Sequence, residues 1–322
     1  MTTPAAAPPA SIRAVVVTPG VPGSLTLGQA PAPAPLPTEA LVKVAAVSLN
    51  LGEVRRAQTE ERGLRTGWDL AGTVIQGASD GKGPPVGARV VGIVERGAWS
   101  EQVAVPSNQL AAIPAAVTFA QAAALPVAGL TALYALEMRG GLLERRVLVT
   151  GASGGVGHFA CQLARQAGAR VVGHVRRPEH AAFVRKAGAH AIVAGEDAGE
   201  AAAHGPYDLI IDGVGGKVLG QSMSLLAKDG VCVSYGVSAG ADVTFDARTF
   251  FRSGRPTLYG LYLFEEFYQR PAWQGLTRLA GMIAAGTLTP HIDHEADWRE
   301  IGAVAQQLLD RKITGKAVLH VS

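Results

Sequence analysis

The chain has 322 residues, 48% of them apolar, with a formal charge of +3 and two cysteines. That is length for two domains or one large one, and ample apolar material for a buried core. The charge is too small and too scattered to indicate nucleic acid or membrane, and two cysteines make neither a disulfide framework nor a thiolate metal site. Cys161 and Cys232 read as small core residues, and disulfide-free usage fits a cytoplasmic protein. Residues 1–10 are rich in Pro and Ala, with no basic start and no apolar segment, so they do not read as a signal peptide. The uncharged run 102–136 is broken by Pro106, Pro114 and Pro126 and is not a membrane span.

Residues 11–110 read as strands and turns. The segments 12–17, 40–47, 72–75, 88–94 and 100–105 are rich in Val and Ala, and Pro/Gly clusters at 31–37 and 81–87 separate them. One helix is expected there, from 52 to about 61, with Asn50 as its cap. At Thr118 the period changes. Thr118 and Gln121 make a capping box before an Ala-rich helix that should stop at Pro126, and a second short helix is expected over 130–138. Strands at 147–150, 170–175, 190–194, 207–212, 231–236 and 257–263 then alternate with helices at 155–167, 178–187 and 217–227, and a helix at 273–285 follows. Six strands with interleaved helices predict an α/β fold with a doubly wound parallel sheet. The tail should form one amphipathic helix from Trp298 and a strand over 316–321. Lying beyond the sixth strand, it is expected to return to the β-rich part.

The run 147–157 organises the rest. A short buried strand is followed by Ala152, Gly154 and Gly157 at the offsets of the dinucleotide fingerprint, and then by a helix with one apolar face. Gly154 lets the backbone approach a pyrophosphate, and Gly157 lets the helix pack close on the strand. The helix N-terminus offers free N–H groups to the anion. The next strand ends in Arg176 and Arg177, with no acid at 174–178. An NAD site places Asp or Glu there for the ribose hydroxyls, whereas two guanidiniums suit a 2′-phosphate. NADP(H) is the expected cofactor.

In this order, several segments resemble the zinc-independent medium-chain dehydrogenases/reductases, near the quinone oxidoreductase and enoyl reductase branches. They are Leu49 with Asn50, GWDLAG at 67–72, GARV at 87–90, GAWSE at 97–101 and LPVAGLTA at 125–132. The fingerprint, DGVGG at 212–216, SYG at 234–236 and GKAV at 315–318 complete the set. The resemblance covers essentially the whole chain. It implies a GroES-like catalytic domain, 1–117 completed by 288–322, and a Rossmann domain, 118–287, with the cofactor in the cleft between them. It also implies a homodimer, joined edge to edge through the strand 257–263. Zinc-dependent relatives carry a Cys, a Gly-His-Glu motif and a further Cys or Asp. Here those places hold Asn50, then Gly67, Trp68 and Asp69, with no cysteine near Val127, so no metal site is expected. His291 and His294 lack helical register and read as surface or packing histidines.

Without a metal Lewis acid, hydride transfer from NADPH to an activated C=C is the favoured chemistry, in a quinone, an enone or an enoyl intermediate. A zinc-free carbonyl or alcohol dehydrogenase and a non-catalytic NADPH-binding protein are the alternatives. Asn50 either donates to a carbonyl or only caps the helix. Thr131 matches a segment that faces nicotinamide in relatives, or else is a helix-start hydroxyl. Tyr262 either reaches the cleft or serves packing. Arg55 stands where quinone reductases often carry Tyr, and reads as a substrate-anion contact or an exposed helical residue. Trp68 and Trp99 are pocket walls or core. Ser153, Gly154, Gly155 and Val156 should meet the pyrophosphate, and Arg176 and Arg177 the 2′-phosphate. By resemblance, Gly215, Tyr235, Gly236 and Leu263 line the cofactor track, and Lys316 reaches the cofactor from the tail or lies on the surface.

Overall fold

The structure is a computed structural model and describes residues 11–322; the reading of 1–10 lies outside them. In chain order, a hairpin of β1 (Ser11–Val17) and β2 (Leu25–Pro31) precedes β3 (Glu39–Leu49), α1 (Leu51–Ala57) and β4 (Asp69–Gln76). Then come β5 (Arg89–Ile93), β6 (Gln102–Pro106) and β7 (Leu110–Ala112), followed by α2 (Phe119–Ala123) and α3 (Pro126–Glu137). The alternating part holds β8 (Arg146–Val149), α4 (Gly155–Gln166), β9 (Arg170–Val175), α5 (Ala181–Lys186) and β10 (Ala191–Ala194). It continues through β11 (Tyr207–Asp212), α6 (Gly216–Ser222), β12 (Leu226–Ser234), α7 (Ala247–Arg252), β13 (Thr257–Gly260), α8 (Leu263–Glu266) and α9 (Ala272–Ala284). The tail is β14 (Ile292–Asp297), α10 (Ile301–Leu309) and β15 (Lys316–His320).

The expected α/β architecture is present. Six parallel strands run in the order β10-β9-β8-β11-β12-β13, with β8 and β11 at the centre. The order reverses between them, which opens a crevice at the carboxyl ends of the strands. The second sheet runs β14-β15-β3-β4-β5-β7, with β6 also on β3. Its tail strand β15 pairs antiparallel with β3, Val318 opposite Ser48.

Helix α3 joins the two sheets into one core. Ten of its twelve residues are buried, and a helix that is apolar all round belongs in an interior. Leu125, Leu130 and Leu133 pack in one cluster with Ala71 and Ile93 of one sheet and Val147 and Val149 of the other. Among the described residues no helix is long and apolar enough to cross a membrane.

Several boundaries differ from expectation for identifiable reasons. The Ala-rich helix ends before Pro126 as expected, and the next one opens at Pro126, four residues earlier than 130: the proline sits at the first helical position, where a missing N–H costs nothing. The strand expected over 257–263 is only Thr257–Gly260, because Tyr262 turns the chain into α8. Strand β12 begins at Leu226, five residues early, and the helix before it is correspondingly short. A register shift between Tyr207 and Leu209 takes up Asp229, which has φ +58, and Gly230. The first helix ends at Ala57, before the expected 61. β2, β7 and β14 were hidden by their Gly, short length and charge respectively.

Candidate cofactor cleft

The strand–turn–helix of β8 and α4 has the geometry that its glycines require. A Cβ on Gly157 would lie 2.5 Å from the Gly151 carbonyl, so the helix sits directly on the turn. Gly154 is the extended cap of α4, and the first-turn amides from Gly155 onward have no intrahelical acceptor. The tail lies against this loop: Gly315 N–H donates to the Ser153 carbonyl at 3.1 Å. A Cβ on Gly155 would come within 2.8 Å of the Lys316 Cδ, so the lysine stem runs along the loop.

The Lys316 ammonium turns away from the loop, into a buried cluster. Its side chain is 4% exposed, and Nζ donates to the Leu49 carbonyl (3.0 Å), Asn50 Oδ1 (2.6 Å) and Asp69 Oδ2 (3.3 Å). Asn50 Nδ2 donates to Glu53 Oε1 at 3.0 Å and Asp69 Oδ2 at 2.9 Å, and its backbone N–H donates to Glu53 Oε1 at 2.8 Å. Asp69 also accepts from Ser48 Oγ (2.7 Å) and, across to α3, from the Val127 N–H (3.0 Å). Burial, and then the Asp69 carboxylate beside it, hold the Glu53 carboxyl well above the usual carboxylate range. Asp69 pairs with Lys316.

This arrangement bears out the helix-cap reading of Asn50 and overturns the surface reading of Lys316. An amide nitrogen has two hydrogens, and both of Asn50's are committed; its place is that of a helix cap and a link in the cluster. Lys316 is buried and not on the surface. The signal for the first was in the sequence: Asn50 is followed three residues later by Glu53, a capping-box spacing.

On the opposite side of α4, the turn after β11 is held by Asp212, which accepts from Thr150 Oγ1 (2.5 Å) and the Gly215 N–H (2.9 Å). Gly215 has φ +72, and a Cβ there would meet the Gly240 carbonyl at 2.3 Å, so only glycine fits. Tyr235 and Gly236 leave β12 beside this turn; the Tyr235 ring covers Gly213, whose Cβ would lie 2.3 Å from the phenol oxygen. Thr131 is buried in α3, and its hydroxyl makes no side-chain hydrogen bond among the described residues. Leu263 is buried on α8, whereas Tyr262 is 57% exposed and tilts onto Phe264 at 5.8 Å. Trp68 is half-buried, edge-on to Phe264 at 5.8 Å and beneath the Arg56 guanidinium at 5.4 Å. Trp99 is core, its indole N–H donating to the Ser48 carbonyl.

Arg176 and Arg177 stand at the carboxyl end of β9. A third guanidinium reaches them from the tail: Arg311, whose carbonyl accepts from Arg177 Nη2 at 3.5 Å. Its pKa is lowered by burial and then by repulsion from Arg176 and Arg55. Sequence reasoning missed Arg311; the available signal was its place between a helix end and the returning strand. The glycine turn with Ser153, the guanidinium cluster at the end of β9 and the turn carrying Gly215 thus lie at the carboxyl ends of β8, β9 and β11.

Two family models match the chain: an alcohol dehydrogenase GroES-like domain over residues 36–115 and a zinc-binding dehydrogenase over 155–280. A quinone oxidoreductase of Pseudomonas aeruginosa is 30% identical over 240 residues, covering 69% of this chain and 71% of the relative. The human synaptic vesicle membrane protein VAT-1 homolog is 30% identical over 317 residues, 89% of this chain and 80% of the relative. The bovine mitochondrial NAD(P)H oxidoreductase RTN4IP1 is 32% identical over 222 residues, and the match spans only 56% of its length. Among solved structures, mycobacterial Rv1454c in complex with NADPH superposes with a TM-score of 0.86 at 27% identity, covering 96% of this chain and all of that one. With those matches added to the two sheets and the glycine turn between them, the chain belongs to the medium-chain dehydrogenase/reductase family and is quinone oxidoreductase-like.

Proposed function

We propose that the chain is an NADP(H)-dependent reductase that transfers hydride to an activated C=C without zinc. The two units are 1–117 with 288–322, and 118–287, and the cofactor lies between them. The observation that carries the reading is the pairing of a guanidinium cluster at the end of β9 with a buried ion cluster where zinc-bearing relatives place their ligands. Asn50 and Trp68 are poor zinc donors, Asp69 is saturated by four hydrogen bonds, and an ammonium stands beside it. That donor set does not fit a zinc ion.

The cleft fits a dinucleotide. The first-turn amides of α4 and Ser153 face the pyrophosphate, and Arg176 and Arg177 with Arg311 take the 2′-phosphate. Gly215, Tyr235, Gly236 and Leu263 line the path between. Bound NADPH supplies the hydride. The chain's own part is to place the acceptor and to stabilise the charge that develops on its carbonyl oxygen. With Asn50 committed, Thr131 is the free hydroxyl donor for that oxygen or for the nicotinamide amide. Trp68 and Phe264 wall the acceptor side, and Tyr262 closes its outer end.

NADPH oxidation followed by absorbance tests this, with a quinone, a linear enone, an enoyl thioester and a simple aldehyde as acceptors and NADH in parallel. Turnover of the quinone or an enone, faster with NADPH, is expected. Turnover of the aldehyde alone would favour the zinc-free carbonyl dehydrogenase, and tight NADPH binding with no turnover a sensor. We also propose a homodimer through the open edge at β13. Leu258, Phe251, Tyr262 and Tyr268 are exposed around that edge, and an unpaired strand edge invites a partner. A monomeric mass at micromolar concentration would overturn this.

A further inference from the structure

Arg55 and Arg311 belong to the β-rich half, on α1 and just past α10, yet both donate to one carbonyl in the nucleotide-binding half. Arg55 Nη2 reaches the Ser238 oxygen at 2.8 Å and Arg311 Nη2 reaches it at 2.6 Å. Arg55 Nη1 adds the Val237 carbonyl at 3.4 Å. The same loop is stitched to the floor of the cleft: Ser238 N–H donates to the Gly213 carbonyl at 3.2 Å and Ala239 N–H to Val214 at 2.8 Å. Whatever fixes Ser238 therefore fixes the turn that carries Gly215.

Electrostatics oppose this arrangement. Arg55, Arg176, Arg177 and Arg311 converge, and among the described residues only Arg177 has a carboxylate partner, Glu179 at 3.4 Å. Neutral carbonyls satisfy hydrogen bonds but do not cancel charge. An anion between the two halves would remove the repulsion and leave the hydrogen bonds in place.

Resting on the proposed 2′-phosphate site, we propose that Arg55 is a positioning residue for cofactor selection: with Arg311 it straps the Ser238 loop across the cleft, and the 2′-phosphate draws the strap closed. Arg55 does not touch the phosphate. It acts through Ser238 on the Gly213–Gly215 turn, so NADP(H) orders that turn and NAD(H) leaves it loose. The ligand shifts the loop because it meets the full guanidinium cluster only in the strapped state.

Hydrogen–deuterium exchange of the 236–246 amides reads the strap without requiring turnover. The probes are 2′-AMP, which carries the phosphate and neither nicotinamide nor pyrophosphate, and 5′-AMP. Saturating 2′-AMP should slow exchange at Ser238 and Ala239 by about tenfold, and 5′-AMP by less than about twofold. Arg55→Ala should bind 2′-AMP within about threefold of the parent yet lose most of that protection, with Arg55→Lys between the two. Full protection in Arg55→Ala, or equal protection by 5′-AMP, would overturn the strap. The underlying site is tested separately by replacing Arg176 and Arg177 together with Ala. Unchanged 2′-AMP binding in that variant, or no binding by the parent, removes the phosphate site and the strap with it. Lost binding there combined with retained protection in Arg55→Ala removes the strap alone.

Discussion

The two halves meet through two sets of charges built on opposite plans. Beneath the glycine loop, Lys316, Asp69 and Glu53 are buried and Asn50 half-buried, and all their side-chain polar atoms but Glu53 Oε2 have a partner. At the mouth of the cleft, Arg55, Arg176, Arg177 and Arg311 are exposed or half-exposed, carry one sign, and hold mostly carbonyls. A saturated buried set fixes a joint, since a charge removed from water must keep its partner. An unsaturated, half-wet set leaves room for an outside anion at little cost to the fold. The contrast separates the part of the interface that holds the chain together from the part that can respond to a ligand.

The sharpest way to break the contrast is to remove the buried cation. Lys316→Met keeps the stem against Gly155 but strands the Asp69 carboxylate, and it should cost about 3–5 kcal/mol in denaturant unfolding. A loss below about 1 kcal/mol would mean that the cluster is no more fixed than the mouth.

The next largest effect is pH dependence at His158, in the first turn of α4. Its ring stacks on Phe183 at 4.9 Å and its Nε2 lies 3.1 Å from the Thr289 carbonyl. Burial lowers its pKa to about 4, against the opposing hydrogen bond to Thr289. In the unfolded chain the ring takes a proton near pH 6.5, so the unfolded state binds more protons throughout the window from 6.5 to about 4. This contribution to stability is complete above pH 6.5 and is lost as pH falls toward 4, about 3 kcal/mol at the limit. Unfolding curves at pH 7.5 and 5 should show it, and His158→Gln, which keeps a donor for Thr289, should flatten the difference. An equal loss in the variant would assign the acid sensitivity to other groups.

How far the sequence could be read follows from distance along the chain. The fingerprint was legible because strand, glycines and helix constrain one another within 147–157, and the α/β alternation because each unit has its own period. Asn50 and Glu53 were legible too, three residues apart, but only as a cap. That the cap is also part of a buried ion cluster depends on Lys316, some 266 residues away. Arg311 has no local pattern at all; its role comes from the tail crossing back to meet β9. The start of α3 was misplaced because a proline both ends and begins helices, and the buried run after Pro126 had no polar face to show that it does both.

The pairing of β15 with β3 has a consequence in time. Residue 317 lies opposite residue 49, and β6 covers only residues 39–43 on that side of β3, so the stretch 46–49 has no partner there until nearly the whole of the chain described here has been synthesised. All six strands of the parallel sheet lie between residues 146 and 260 and are available earlier. During translation the nucleotide-binding sheet can therefore assemble before the 46–49 end of β3 is covered. The docking of the tail is a contact of very long sequence separation, expected to form late in folding. The same docking lays Lys316 along the glycine loop, so the cleft is finished last.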